Sequence, residues 1–180
     1  HLDHPNIVTI YDIGHDSEQG PYFTMDLKLG TSLDLLLAKF KVESGALVPS
    51  QKLNMLEVFL KICDAVSYAH SHDIIHLDLK PGNILFDQYN NAYLSDFGIA
   101  RLAHGSHTLT GENIIGTPAY MSPEQVQGEK DIDGRSDLYS LGIIFYQMLQ
   151  GNTPFQATTP AKVMMMHILE PVPDLAMIRP

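Results

Sequence analysis

Two carboxylates, an ammonium group and an amide cluster near the middle of the chain. Asp78, Lys80 and Asn83 lie in His76-Leu77-Asp78-Leu79-Lys80-Pro81-Gly82-Asn83, and Asp96 follows in Asp96-Phe97-Gly98. The set suits transfer of a phosphoryl group to a hydroxyl. That reaction asks for positioning and charge neutralisation, because charge spreads over phosphate oxygens instead of resting on one covalent intermediate. Asp78 is the candidate for orienting a hydroxyl and accepting its proton, and Lys80 for offsetting charge on the moving group. Asn83 offers a neutral oxygen and Asp96 a charged one, the hard donors that Mg²⁺ prefers. Gly98 can take backbone angles that a Cβ would forbid, so the chain can turn just after the carboxylate.

The elements that must position these groups are legible from pattern. Ile7 to Ile13 and Pro21 to Leu27 read as strands around a turn at Asp16 to Gly20. Thr31 or Ser32 can cap a helix running to Lys39, and Lys41 to Pro49 reads as a polar loop. From Ser50 to His72 apolar residues recur at helical spacing, among them Leu53, Leu56, Leu60, Cys63, Val66 and Ala69. Ile84-Leu85-Phe86 and Ala92-Tyr93-Leu94 are short apolar runs between the two polar loops. Asp137 to Leu149 and Ala161 to Leu169 read as further apolar helices, with Met164-Met165-Met166 as packing.

Composition narrows the partners. Lysine and arginine total 11 against 21 acidic residues, a net charge of -10, and the cations are scattered, which argues against nucleic acid. No apolar stretch approaches the roughly 20 residues that cross a bilayer. The lone Cys63 cannot form an internal disulfide, which fits a reducing, cytoplasmic setting, and it reads as a core residue rather than a nucleophile. His70-x-His72 and His104-x-x-His107 have metal-compatible spacings but no cysteine partners. Asp131-Ile132-Asp133-Gly134 begins like a calcium loop, yet Gly142 stands where the closing glutamate is needed, so it reads as the turn before the next helix.

Asp-Phe-Gly alone is a weak signal, since any Asp in a turn before Gly gives it. The whole set, with its fixed offsets and flanking apolar runs, resembles the catalytic and metal-binding loops of protein kinases. The resemblance extends over nearly the whole chain. Gly116 to Glu124 is similar to the segment that closes a kinase activation loop, with Ser122 in place of the usual Ala. Asp137 to Gly142 resembles the start of the long buried C-lobe helix, and Gly151-Asn152-Thr153-Pro154-Phe155 the loop after it. Lys80 and Thr117 look like the serine/threonine branch, and Tyr120 to Gln125 with Gly134 to Asp137 is closest to bacterial eukaryotic-like kinases.

That resemblance implies an α+β, protein-kinase-like fold. Residues 1–25 would be residual N-lobe strands of a partial β-sheet, 26–30 the hinge, and 31–180 a mainly α-helical C-lobe incomplete at its C-terminal end. It implies ATP and Mg²⁺ as cofactors and a protein with Ser/Thr hydroxyls as substrate. Asp78 would be the base, with Lys80 and Thr117 completing the catalytic group and Asn83 and Asp96 holding metal. Met25 would back the nucleotide pocket, the Asp26 carbonyl and Lys28 N–H would meet adenine, and Leu85 would floor it. His76 would be structural, stacked with Phe97 and Ile10 and anchored at Asp137.

Three departures carry expectations. No two glycines are separated by a single residue and no lysine precedes Lys28, so a glycine-rich loop and strand lysine are expected upstream of His4-Pro5-Asn6-Ile7-Val8. Truncation is the preferred explanation; the alternative is a pseudokinase or scaffold that acts by binding proteins. The arginine that pairs with the glutamate of this motif would lie beyond Pro180, leaving Glu124 as a partly buried carboxylate without a partner. Leu77 stands where most members carry arginine, so phosphorylation at Ser106, Thr108 or Thr110 is not expected to act through an arginine clamp.

Overall fold

The computed structural model describes residues 2–16, 20–44, 49–97 and 117–175. Strands β1 (Ile10–Asp16) and β2 (Gly20–Met25) form an antiparallel hairpin. Helices α1 (Leu33–Ser44) and α2 (Pro49–His70) follow, then a 3-10 turn at Pro81–Asn83 and a second hairpin of β3 (Ile84–Phe86) and β4 (Ala92–Leu94). A 3-10 turn at Pro118–Tyr120 leads into α3 (Pro123–Gln127), α4 (Arg135–Gln150) and α5 (Pro160–Leu169).

The second hairpin ties the N-terminal segment and the approach to α1 to the core. Period-2 alternation sends Ile84, Phe86, Ala92 and Leu94 into the core and leaves Leu85 and its cross-strand partner Tyr93 on the other face. The Asp87 carboxylate closes its turn, accepting from Tyr89 N–H at 2.8 Å, Asn91 N–H at 2.9 Å and Asn91 Nδ2 at 2.9 Å. Those bonds, that from the Asn91 side chain foremost, pull its pKa down to about 2.

Both edges of this hairpin are occupied. Val8 N–H donates to Leu94 O at 2.9 Å and Leu94 N–H to Asn6 O at 2.8 Å, while Phe86 N–H donates to Thr31 O at 2.7 Å. Ile7 and Val8 are therefore committed to β4, and the first strand begins at Ile10 rather than at Ile7. On the β3 edge Gly30 N–H reaches Phe86 O at 3.0 Å, so closely that a Cβ at Gly30 would lie 2.3 Å from that oxygen. Gly30→Ala is expected to cost about 1–3 kcal/mol, read by denaturant unfolding, because backbone must move on one side or the other.

Helix α1 runs to Ser44, so the loop expected from Lys41 starts later, and residues 45–48 of it lie outside the described residues. Phe40 packs against the core and Lys41 Nζ donates to Asn152 Oδ1 at 2.7 Å, contacts that hold this last turn. Helix α2 ends at His70 rather than His72, where Asp73 takes a positive φ of 58° and Ile74 N–H turns back to Ala69 O. Its core face is Met55, Ile62, Ala65, Val66 and Ala69, packed with Leu141, Ile144 and Met148 of α4. Cys63 is half-buried against that core, and burial pushes its thiol pKa up, away from nucleophile chemistry.

Candidate active site

The polar loop at 76–83 hangs from one buried carboxylate. Asp137, in the first turn of α4 and 1% exposed, accepts from His76 N–H at 2.8 Å through Oδ2 and from Leu77 N–H at 2.8 Å through Oδ1. His70 Nε2, at the end of α2, donates to the same carboxylate at 2.7 Å. These bonds hold Leu77 at a φ of +66°, a left-handed conformation that a leucine does not choose unaided. His76 is fully buried: Nε2 donates to Ser95 O at 2.8 Å, Nδ1 accepts from Asp78 N–H at 3.3 Å, and the ring lies 4.7 Å from Phe97. Burial holds its pKa below the ordinary histidine value against the raising pull of Ser95 O and Asp137. With both nitrogens engaged, His76 is a brace.

Past the left-handed Leu77 the side chains alternate, and Lys80 is extended at φ -157° and ψ 160°. Leu79 and Pro81 are buried, and Asp78 and Lys80 come out on the other side. Lys80 Nζ donates to Asp78 Oδ2 at 2.7 Å, and the two side chains keep 28% and 32% of their exposure, within reach of a solvent-borne partner. Asn83 Nδ2 donates to Asp78 O at 2.8 Å and approaches Oδ2 at 3.3 Å, which fixes the amide so that its Oδ1 remains as an acceptor. Ser95 joins the second loop to the first. Its N–H donates to Asn83 O at 2.9 Å, and its hydroxyl lies 3.1 Å from that carbonyl and 2.9 Å from Asp96 Oδ2. Asp96 itself is exposed, at a φ of +60°. The structure thus brings Asp78, Lys80 and Asn83 into direct contact and Asp96 beside them through Ser95.

Among the described residues no group of three or more His, Cys, Asp or Glu side chains converges as an all-protein cage. An Asn oxygen and an Asp carboxylate instead suit a hard cation that takes its remaining ligands from phosphates and water. The other sequence-selected residues sit around β2 and the second hairpin. Met25 ends β2 opposite Ile10 and is 39% exposed. Asp26 N–H donates to Thr9 O at 2.9 Å, and the Asp26 carboxylate takes Lys28 Nζ at 2.5 Å. The Lys28 ammonium lies 3.6 Å over the Tyr93 ring, beside Leu85 on the outward face of the hairpin. Thr117 opens the Pro118–Tyr120 turn with its carbonyl, and its hydroxyl reaches neither Asp78 nor Lys80 by a hydrogen bond.

A family model described as protein kinase domain matches residues 1–177. The chain belongs to the protein kinase family. It is 38% identical over 177 residues to the DNA damage-responsive serine/threonine-protein kinase RqkA of Deinococcus radiodurans, covering 96% of this chain and 25% of that protein. It is 39% identical to the serine/threonine-protein kinase PknB of Mycolicibacterium smegmatis (96% of this chain, 27% of that protein) and 37% identical to PrkC of Bacillus subtilis (96% and 25%). The chain spans about a quarter of the length of these curated relatives.

Within this kinase chain, Glu124 does not stand alone as expected. Burial alone would raise its pKa, but hydrogen bonds from Ser136, its own backbone N–H and Ser122 outweigh that and lower it; the Ser136 hydroxyl donates to Oε1 at 2.5 Å. A lowered folded-state pKa adds stability above the unfolded carboxyl value, near about 4.3, that is lost as pH falls through the folded value. Ser136→Ala should therefore lower the melting temperature at pH 7, and the gap from wild type should close below about pH 4.

Other residues marked at the outset resolve into structure. His70, flagged by metal spacing, holds Asp137, and His72 Nδ1 donates to Tyr68 O at 2.9 Å. Asp133 Oδ1 accepts from Arg135 N–H at 2.9 Å, as the turn before α4 requires. Met165 is 49% exposed, so the methionine run is only partly packing. Gly98, His104, His107, Ser106, Thr108 and Thr110 lie outside the described residues. Sequence reasoning missed Ser95 and Gln125, whose signal is only a small hydroxyl and an amide beside motif residues.

Proposed function

We propose that this chain carries the phosphoryl-transfer face of an ATP-dependent kinase acting on serine or threonine hydroxyls of proteins. The observation that supports it most is the Asp78, Lys80 and Asn83 cluster, joined to Asp96 through Ser95, with Asp78, Lys80 and Asp96 reaching solvent beside the buried Asn83. Asp78 accepts the hydroxyl proton as that oxygen bonds to the γ-phosphorus. The bond from the γ-phosphorus to the bridging oxygen breaks, and ADP leaves with its electron pair. Lys80 balances charge on the transferring group, and Thr117 helps to position the acceptor. Asn83 Oδ1 and Asp96 would hold Mg²⁺. The ion would supply positive charge against the phosphate oxygens there. Met25, the Asp26 carbonyl, the Lys28 N–H and Leu85 would receive adenine, with 26–30 as a hinge between strands 1–25 and the helical region 31–180.

No helix among the described residues is long and apolar enough to cross a membrane. A cytoplasmic reaction, where ATP is supplied, is the reading that fits this function. The test is transfer of labelled γ-phosphate from ATP to casein by the complete protein, followed by phosphoamino-acid analysis. Label in serine or threonine that disappears on chelating Mg²⁺ is expected. Tight nucleotide binding with no transfer would favour the scaffold reading instead.

A further inference from the structure

The amide of Gln125 bridges two segments that the reaction needs in register. Its Oε1 accepts from Ser122 N–H at 3.0 Å, completing a capping box at the start of α3. Its Nε2 donates to Leu77 O at 2.7 Å. That carbonyl belongs to the peptide whose N–H is Asp78's, and this N–H points to His76 Nδ1 at 3.3 Å. The Leu77–Asp78 peptide is therefore gripped at both ends, by Gln125 on its oxygen and His76 on its hydrogen. Asp137 holds the N–H side of the left-handed Leu77, which leaves rotation about Leu77 ψ and Asp78 φ as the remaining freedom, and such a rotation would swing Asp78 away from Lys80 and Asn83.

We infer that Gln125 is a positioning residue for Asp78, locking the catalytic peptide to the segment that begins at Thr117. A neutral amide is required because one group must accept from Ser122 N–H and donate to Leu77 O together. This rests on Asp78 being the base, as proposed above. Glutamate at 125 separates the two tasks. Ionised, it still accepts from Ser122 N–H and keeps α3 capped, but it turns a carboxylate on Leu77 O; protonated, it can donate there again.

The experiment compares Q125E, Q125M and D78N with wild type in the complete protein, using ATP and casein from pH 5.5 to 8.5. Near pH 8, Q125E should lose about tenfold in kcat, with the KM for ATP within twofold and the melting temperature close to wild type. The ratio of Q125E to wild-type kcat should climb as pH falls, since a carboxyl facing a carbonyl protonates above its ordinary value of about 4.3. Q125M should be low with a flat ratio. A Q125E ratio that is flat with pH, whether near one or as low as that of Q125M, overturns the inference. D78N as active as wild type overturns the base assignment itself, a result that the pH ratio of Q125E cannot mimic.

Discussion

Asp137→Ala should destabilise the folded chain by about 3–5 kcal/mol and remove measurable turnover, the larger structural effect of any single substitution here. The carboxylate is 1% exposed and satisfies three donors: His76 N–H, Leu77 N–H and His70 Nε2. Removing it leaves two backbone donors without an acceptor, each costing roughly 1–3 kcal/mol. It also frees Leu77 from its +66° φ, so the loop can relax into an ordinary conformation that no longer presents Asp78. Asp137→Asn keeps one oxygen acceptor but turns an NH₂ toward N–H donors, so an intermediate loss is expected. Denaturant unfolding of the complete protein, followed by a probe in the kinase region, measures both. A change below about 1 kcal/mol for the alanine variant would show that the loop is held by other contacts.

Asp78→Asn should reduce kcat by at least about a hundredfold, the scale of a lost general base. The amide is nearly isosteric, so the loop has no steric reason to move. Its oxygen can still accept from Lys80 or Asn83, which now reach Oδ2 at 2.7 and 3.3 Å. What it cannot do is take a proton from a hydroxyl. Nucleotide affinity should stay within a few-fold, because the oxygens proposed to hold metal are those of Asn83 and Asp96. Single-turnover transfer and a fluorescence titration with a nucleotide analogue separate the two. An Asn variant within tenfold of wild type would mean that Asp78 only orients the hydroxyl.

Periodicity located α2 and the buried face of its second half, where Cys63, Val66 and Ala69 lie in or against the core, but not that of its first half. Leu53, Leu56 and Leu60 follow helical spacing, yet they are 60%, 40% and 58% exposed, while Met55, Ile62 and Ala65 enter the core. A helix with two apolar stripes offers two inward orientations, and packing against α4 and the second hairpin selects one. Strand composition likewise marked Ile7 and Val8 as strand-like without saying which partner they join. They pair with Leu94, far along the chain, rather than extending β1. Glu124 shows the same limit for charge. With the family's arginine expected beyond Pro180 it read as unpartnered, but a serine hydroxyl twelve positions away bonds it.

The reactive set was fixed by local sequence. Asp78 and Lys80 share one short loop whose alternation with Leu79 and Pro81 turns both outward, while Asn83 is buried at the end of the 3-10 turn and meets Asp78 through its amide. What holds the loop in its strained shape was decided only by folding. Asp137 reaches His76 across 61 positions and Gln125 reaches Leu77 across 48. A hydrogen bond closed over so long a stretch leaves no periodic trace, because its geometry depends on how helices pack rather than on which residues are neighbours along the chain.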